Sequence, residues 1–252
     1  MEPVLKLEGV CKAFGGVVTA RNVDLEVFPG EIHGLIGPNG AGKTTMMNLI
    51  SGIYSCDGGK ISFNGQDVTA VPSYKRARMG IGRTFQTPRF LTKSSIRDNL
   101  YIGTDLKDQL GFLKSFFGVK GSNFEEEIKE YLSLTGFELD WDDDIETLPF
   151  GHQKLLEIVR SLLSKPKVML IDEPAAGLNS AEIQNVMDLI RYAAREKGIG
   201  VLVIEHRMDM MLTMCDVIDV LNFGEIIGHG TPEEIVNMPQ VLRAYLGGDT
   251  DA

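Results

Sequence analysis

The chain has 252 residues and a formal net charge of −10 at pH 7, which argues against a nucleic-acid partner and against charge-driven binding to an anionic membrane. The length suffices for one α/β domain with an additional lobe, and Cys11, Cys56 and Cys215 form no metal-binding or disulfide spacing, as expected in a reducing cytoplasm. Charged residues interrupt any N-terminal signal peptide, and no apolar run approaches the roughly 18 residues of a membrane span, so a membrane role must depend on a partner.

The first third of the chain is predicted to be rich in β-strands. Alternating apolar and acidic residues indicate a half-buried strand, and short apolar runs bounded by Pro-Gly and Asn-Gly turn signals indicate others. The predicted strands are 4–10, 22–28, 32–36 and 61–63.

Phe14 precedes Gly15 and Gly16, between the first two predicted strands. Its ring could stack on a purine, or it could be a turn aromatic that packs on the sheet. The residue pattern alone favours packing on the sheet.

Residues 37–45 fit the pattern G-x-x-x-x-G-K-S/T of a phosphate-binding loop. A strand precedes and a helix follows, so free backbone N–H groups and the helix dipole favour an anion there. The glycines allow the backbone to wrap phosphates without an obstructing Cβ. Lys43 would reach the β- and γ-phosphates, and the Thr44 hydroxyl would ligate Mg²⁺. The nucleotide-binding residues are therefore predicted to be Gly37, Pro38, Asn39, Gly40, Ala41, Gly42, Lys43, Thr44 and Thr45.

Strand signals become few after about residue 76, and helical patterns take their place. A short helix is predicted at 94–101, and Ser122 with Glu125 forms a capping-box pattern that opens a second helix. We therefore predict an inserted helical lobe at about 87–165.

Two features of this lobe are candidates for function. Gln86 lies at its entrance and could ligate a metal through its side-chain carbonyl, although a lone Gln is usually solvated. An apolar stretch could dock on a membrane partner, or form a helical hairpin that packs on its own lobe, which is the more common arrangement. The stretch comprises Leu106, Leu110, Phe112, Leu113, Phe116, Phe117 and Val119.

The segment 148–153 precedes a helix whose apolar residues recur at positions i, i+3, i+4 and i+7. Gly151 lies where this helix would begin, so the helix N-terminus could present N–H groups to a phosphate. The residues alone indicate only the start of a helix.

Two acidic residues follow a buried parallel strand predicted at 168–171. Open α/β sheets place ligands at the carboxyl edge of their strands. Asp172 would hold Mg²⁺ through water and Glu173 would polarise the attacking water, the alternative being a pair of solvated acids. A second buried strand at 201–204 ends near His206, which could hydrogen-bond a γ-phosphate at the same edge or be structural.

Helix ends are predicted from capping residues in the last third. Ser180 is predicted to cap the helix between the two buried strands, and Thr231 with Pro232 to start a helix near the C-terminus. The segment 247–252 is expected to be frayed.

The order of these motifs resembles the nucleotide-binding subunits of ATP-binding-cassette (ABC) transporters over nearly the whole chain. The resemblance implies an α/β fold: a P-loop NTPase cassette with a RecA-like core, an antiparallel β lobe and the inserted helical lobe, in one ATPase domain over 1–252. It also implies ATP and Mg²⁺ as cofactors and ATP hydrolysis as the reaction.

The resemblance further implies roles for individual residues. Phe14 would stack on adenine, and Glu173 would be the general base. Gln86 would sense Mg²⁺ and the γ-phosphate and couple the helical lobe to the membrane partner, while His206 would contact the γ-phosphate. The residues near Mg²⁺ would be Thr44, Gln86 and Asp172.

Two ATPase subunits, this chain with a paralogue or with a second copy, would form a head-to-tail sandwich. One subunit would close over ATP bound to the other through Pro149, Phe150, Gly151, His152 and Asn179. The general family signature is L-S-G-G-Q, whereas this chain reads Leu148-Pro149-Phe150-Gly151-His152. Pro149 has neither a hydroxyl nor an N–H, so we expect the two composite sites to be unequal.

Finer features are similar to those of branched-chain amino-acid importers, especially the larger of their two ATPase subunits. They are Arg83-Thr84-Phe85-Gln86, residues 173–179, Ile204-Glu205-His206 and Ala244-Tyr245-Leu246-Gly247. The similarity implies a peripheral protein at the cytoplasmic face of the plasma (inner) membrane, two membrane permease subunits and, indirectly, an external solute-binding protein.

Other ABC functions are alternatives at this stage. Import of urea or a short amide, or export of lipopolysaccharide, would use a similar subunit. A soluble ABC ATPase that acts on DNA or the ribosome is disfavoured, because the chain has one cassette, no heptad run and an acidic balance.

Overall fold

The structure, a computed structural model, describes residues 1–102, 122–135, 137 and 140–246, with the backbone alone for 122–124 and 246. The apolar stretch at 106–119 and the tail at 247–252 lie outside the described residues. None of the helices within the described ranges combines the length and apolar character needed to cross a membrane.

The described residues alternate strands and helices along the chain. The strands are β1 (Leu5–Phe14), β2 (Val17–Val27), β3 (Ile32–Ile36), β4 (Gly58–Phe63), β5 (Gln66–Asp67), β6 (Ile81–Arg83), β7 (Val168–Asp172), β8 (Gly200–Ile204), β9 (Val217–Asn222) and β10 (Glu225–Gly230). The helices are α1 (Lys43–Ile50), α2 (Ser73–Met79), α3 (Ile96–Tyr101), α4 (Ser122–Ser133), α5 (Phe150–Leu163), α6 (Ser180–Arg195), α7 (Met208–Met214), α8 (Pro232–Ile235) and α9 (Pro239–Leu246).

A six-stranded sheet in the order β10-β9-β3-β8-β7-β6 forms the centre of the molecule. Its strands pair in parallel except at the edge, where β10 runs antiparallel to β9. Every residue of β3, β7 and β8 is buried, as expected for parallel strands covered on both faces. The carboxyl ends of these three strands meet at one edge of the sheet.

A second sheet is antiparallel, in the order β2-β1-β4-β5. Its first two strands are longer than the alternation predicted, because the pairing of β1 with β2 continues to Phe14 through register shifts. One shift lies between Leu7 and Val10, where Gly9 takes a φ of 59°. Such a bulge interrupts the period-2 pattern without ending the strand.

Two apolar clusters lie on opposite faces of the six-stranded sheet. Because side chains alternate along a strand, Leu35 of β3 joins the cluster between the two sheets, whereas Ile32 and Ile36 join the cluster under α5, α6 and α7. The strands of the central sheet are therefore held from both faces, which fixes the position of their carboxyl ends.

The cap of α6 differs from the prediction. Asn179, not Ser180, is the N-cap: its Oδ1 accepts hydrogen bonds from the N–H groups of Ala181 and Glu182, both at 3.0 Å. The Glu182 side chain accepts from the Asn179 N–H at 2.9 Å, which completes a capping box. The box needs a Glu or Gln three residues after the cap, which selects residue 179 over residue 180.

Candidate functional site

The carboxyl ends of β3, β7 and β8 bring three predicted motifs together. The phosphate loop follows β3, Asp172 and Glu173 end β7, and His206 follows β8. Since β8 pairs with both β3 and β7, the three motifs are neighbours. The structure therefore assembles the residues predicted for phosphate, metal and water at one sheet edge.

Lys43 lies inside the phosphate loop. Its Nζ donates to the carbonyl oxygens of Gly37 at 2.6 Å and Pro38 at 2.9 Å. The side chain is buried, and burial lowers the pKa of Lys43, while Glu173 and Asp172 oppose that shift. The ammonium thus lies at the first turn of α1, where the loop N–H groups and the helix dipole favour an anion.

Two glycines of the loop lie against carbonyl groups of the protein itself. A Cβ at Gly37 would be 2.0 Å from the Leu221 oxygen, and a Cβ at Gly42 would be 2.2 Å from the Thr19 oxygen. A Cβ at Gly40 would meet no atom within 4 Å. The sequence analysis explained the glycines by the space that phosphate needs. The structure adds that β9 leaves no space for a side chain at position 37 and that β2 leaves none at position 42.

A backbone relay connects this loop to both sheets. The Gly224 N–H donates to the Ala41 carbonyl at 2.9 Å, and the Gly224 carbonyl accepts from the Arg21 N–H at 2.8 Å. Gly224 lies in the β9–β10 turn and Arg21 lies on β2. The phosphate loop, the edge of the central sheet and the antiparallel sheet are therefore joined by successive hydrogen bonds.

Glu173 adopts a left-handed backbone conformation with a φ of 46°, which is uncommon for a residue with a Cβ. Its N–H donates to the Ile204 carbonyl at 2.9 Å. Its carboxylate accepts from Gln86 Nε2 at 2.6 Å and lies 3.8 Å from His206 Nδ1. Gln86, Glu173 and His206 are thus within reach of one another, although they are far apart in the sequence.

Asp172 is buried beside Arg83. Burial raises the pKa of the Asp172 carboxyl, and the Arg83 guanidinium, 3.7 Å away, opposes that shift. Arg83 also donates to Asn48 Oδ1 and to Ser51 Oγ, both at 2.7 Å. It therefore connects the end of α1 to Asp172, a structural role that the sequence motif did not reveal.

Glu205 is a second residue whose role the sequence did not show. Its buried carboxylate accepts from the Ala175 N–H and from the His206 N–H, both at 2.9 Å. Since residue 175 lies 30 positions earlier in the chain, Glu205 joins the turn after β7 to the turn after β8. It fixes the backbone on both sides of the Glu173–His206 pair.

The Phe14 ring is 41% exposed and is therefore not covered by the sheet. It meets the Tyr54 ring edge-on, with centroids 5.2 Å apart, and Lys12 Nζ lies 5.1 Å from its centroid. An exposed ring face with aromatic and cationic neighbours suits stacking on a base, which stays a prediction.

The residues predicted to act on a partner's nucleotide lie together at the start of α5. Pro149 is the N-cap and contributes no side-chain hydrogen bond, and the Phe150 ring is exposed beside Gly177. A Cβ at Gly151 would be 2.3 Å from Oε1 of Glu182, the residue that completes the Asn179 cap.

His152 has a different environment, with its ring 3.9 Å from that of Phe137. Throughout the ranges that the structure covers, no hydrogen bond joins residues 149–152 to the phosphate loop of the same chain.

Comparisons with known proteins agree with this geometry. The family model described as ABC transporter matches residues 20–176, so the chain belongs to the ABC transporter family. A second model, described as branched-chain amino acid ATP-binding cassette transporter, matches residues 225–251.

Individual relatives extend the likeness to nearly the full length. The chain is 38% identical over 251 residues to the high-affinity branched-chain amino acid transport ATP-binding protein LivG of Escherichia coli, with 98% of each chain covered. It is 36% identical over 253 residues to the corresponding protein BraF of Pseudomonas aeruginosa, with 97% of this chain and 98% of BraF covered.

A solved structure shows the same fold. The crystal structure of the ADP conformation of an ATP-binding cassette of an ABC transporter aligns with a TM-score of 0.83 at 31% identity, covering 98% of this chain and 100% of that one. The predicted fold class is confirmed, and the chain is a nucleotide-binding ATPase subunit of the ABC type.

Proposed function

We propose that this chain hydrolyses ATP to drive an importer of branched-chain amino acids. The observation that carries the proposal is the meeting of the phosphate loop, Asp172, Glu173, Gln86 and His206 at one sheet edge. The amino-acid substrate is supported by the branched-chain amino acid transport for which LivG and BraF are named, and by the family model matched at residues 225–251.

The roles of the residues follow from where they lie. Lys43 and the loop N–H groups bind the β- and γ-phosphates and stabilise charge that develops on them. Glu173 accepts a proton from the attacking water, and Gln86 holds the carboxylate through its 2.6 Å hydrogen bond. His206, whose Nδ1 lies 3.8 Å from the Glu173 carboxylate, hydrogen-bonds the γ-phosphate.

The donor set fits Mg²⁺. Asp172 and the Thr44 hydroxyl offer oxygen atoms, the ligands that Mg²⁺ prefers. Gln86 donates to Glu173 through Nε2, so its Oε1 is the atom left for the metal. Bound Mg²⁺ would neutralise phosphate charge, while the Arg83 guanidinium favours the charged form of Asp172 against the effect of burial.

The assembly we infer is a head-to-tail pair of ATPase subunits bound to two membrane permease subunits at the cytoplasmic face of the plasma membrane. An external solute-binding protein would deliver the amino acid to the permeases. The exposed Phe150 ring supports the pairing, and among the described residues no hydrogen bond joins the α5 N-terminus to the chain's own phosphate loop. Adenine would stack on Phe14.

Nucleotide binding is tested by titrating a fluorescent ATP analogue in the presence of Mg²⁺. The variant Lys43→Ala should lose tight binding, because the ammonium at the loop is removed, whereas the exposed Lys60→Ala on β4 should bind like wild type. Unchanged affinity in Lys43→Ala would be inconsistent with the proposal.

Hydrolysis is tested separately by the variant Glu173→Gln. It should retain nucleotide binding and turn over about 10²–10⁴-fold more slowly, the usual effect of losing a general base. Near-normal single-turnover hydrolysis would remove Glu173 from this role.

The substrate is tested by co-expression with the membrane subunits encoded beside the chain and measurement of radiolabelled leucine uptake in vesicles. Uptake should require ATP and be lost in Glu173→Gln. If the vesicles took up urea or a short amide but not leucine, the proposed substrate would be wrong, whereas the proposed ATPase activity would be unaffected.

A further inference from the structure

Helix α5 carries a buried lysine that hydrogen-bonds the backbone of Glu173 and a buried glutamate that hydrogen-bonds the backbone next to Gln86. Lys154 is 2% exposed and Glu157 is 3% exposed. Charged side chains are almost never buried this deeply unless they are paired, because removing them from water is unfavourable. Their positions i and i+3 place them on one face of the helix.

Lys154 donates from Nζ to the backbone carbonyl of Glu173 at 2.9 Å. In the part of the chain that the structure describes, no carboxylate oxygen lies within the 4.0 Å of an ion pair with it. The cation is therefore used to hold a backbone position. Its Nζ also lies 5.7 Å from the centroid of the Phe150 ring, at the beginning of the same helix.

The carbonyl that Lys154 binds belongs to a strained residue. A left-handed backbone conformation is unfavourable for a residue with a Cβ, so it persists only where neighbours hold it. The N–H of Glu173 donates to Ile204 of β8, and its carbonyl accepts from Lys154 of α5 and from the Ala176 N–H at 3.3 Å. Both backbone polar groups of Glu173 are thus fixed, and they set the direction of its carboxylate.

Glu157 holds the backbone beside Gln86, the residue that hydrogen-bonds the Glu173 carboxylate. Its Oε1 accepts from the Phe85 N–H at 3.2 Å, next to Gln86 in the sequence. Lys154 and Glu157 therefore fix, from one helix face, the two backbone segments whose side chains meet in the 2.6 Å hydrogen bond between Gln86 and Glu173.

We propose that Lys154 and Glu157 are positioning residues that set the distance between Gln86 and Glu173 from the position of α5. The inference rests on the proposed function, since α5 begins with the segment that would contact nucleotide on the partner subunit. A shift of this helix start on closure would move Lys154 and Glu157 together. Nucleotide contact at one composite site is thereby communicated to the catalytic glutamate of the other.

The test measures steady-state hydrolysis and nucleotide affinity of Lys154→Met, which removes the donor and keeps the length of the side chain. We expect kcat to fall about 10–100-fold, the range for a misplaced catalytic group, with affinity for the fluorescent ATP analogue within about twofold of wild type. Lys154→Arg restores a donor and should recover most of kcat. Lys197→Met, which removes a cation paired with Glu130, is the control and should hydrolyse like wild type.

A double-mutant cycle separates positioning from a general structural effect. If Lys154 acts through Glu173, Lys154→Met should lower hydrolysis by less than about twofold in the Glu173→Gln background. A full 10-fold loss in that background, or an unchanged kcat in the single variant, would overturn the inference. Should Lys154→Met fold poorly, Glu157→Gln, which retains an acceptor, and Glu157→Leu, which does not, provide the same comparison.

Failure of the proposed function has a different signature. Wild-type protein that neither binds the analogue nor hydrolyses ATP would refute the ATPase site itself. Wild-type activity with an unaffected Lys154→Met would refute only the positioning role.

Discussion

Gly37 and Gly42 show how single residues shape the phosphate loop before any ligand is considered. Each lies where a Cβ would overlap a carbonyl oxygen of a neighbouring strand, at 2.0 Å and 2.2 Å. Gly40 has a positive φ of 81°, against 155° at Gly37 and 110° at Gly42, but open space around it. The loop glycines therefore have two different physical requirements.

Gly37→Ala and Gly40→Ala separate these requirements. Gly40→Ala should lower the free energy of unfolding by about 1 kcal/mol, from backbone strain alone. Gly37→Ala should lower it by about 2–4 kcal/mol, because strain and overlap with the Leu221 carbonyl add. Urea unfolding of both variants without nucleotide measures the difference, and equal losses would show that β9 does not constrain the loop.

His33 is a buried residue at the opposite end of β3 from the phosphate loop. Burial lowers its pKa, but hydrogen bonds to Asp219 and Glu31, both at 2.9 Å, outweigh that effect and raise the pKa of His33 to about 9. Its ring borders a cleft of about 560 Å³ between the two sheets. The imidazolium therefore holds carboxylates of the cleft together.

The raised pKa predicts a pH-dependent stability. Protonated His33 contributes about 3 kcal/mol to the free energy of unfolding. This contribution is fully present below the unfolded pKa of about 6.5 and is lost as the pH rises through about 9. His33→Gln should remove this fall from urea unfolding measured between pH 6.5 and 9.5. Parallel losses in wild type and variant would show that His33 is not the titrating group.

Sequence reasoning found residues that belong to a local motif and missed those defined by distant contacts. The phosphate loop, Asp172 and His206 follow strands that are recognisable from their own apolar runs. Glu205 and Lys154 act on backbone groups 30 and 19 residues away, and nothing in their immediate sequence identifies those partners. Only the folded arrangement of β7, β8 and α5 brings the pairs together.

At the scale of elements, Asn179 illustrates how a local signal can be misassigned by one position. Asn and Ser are comparably good caps, so residue type did not distinguish Asn179 from Ser180. The deciding residue is Glu182, three positions beyond the true cap. The extension of β1 was missed for a similar reason, since the register shifts between Val10 and Ala13 break the alternation that marks a strand.

Asn179→Ala should lower the free energy of unfolding by about 1 kcal/mol, because two N–H groups of α6 lose their acceptor. Ser180→Ala is the matched control and should change it by less than about 0.5 kcal/mol, since the side chain does not cap the helix. Thermal unfolding of the two variants gives the comparison, and a larger loss in Ser180→Ala would contradict the observed cap.

At the scale of the whole molecule, two sheets of different pairing share one apolar interior and meet again beside the phosphate loop. The sequence allowed the prediction that the strands around β3 are parallel, because buried apolar runs are typical of strands covered on both faces. The strand order and the contact of β2 with the loop were not predictable, because they depend on pairings between distant segments. Local sequence patterns were therefore enough to predict the fold class, whereas the contacts within the site could be described only once the strand order was known.

The relay from Ala41 through Gly224 to Arg21 makes the β9–β10 turn and β2 reporters of nucleotide occupancy. When nucleotide stabilises the loop, openings that expose the Gly224 and Arg21 amides to solvent become rarer. Deuterium should then enter these two amides more slowly with ADP or ATP and Mg²⁺, while the Val68 amide, bonded to Ile61 in the same antiparallel sheet, should keep its rate. Strand β2 of the antiparallel sheet would thus register the triphosphate through main-chain hydrogen bonds.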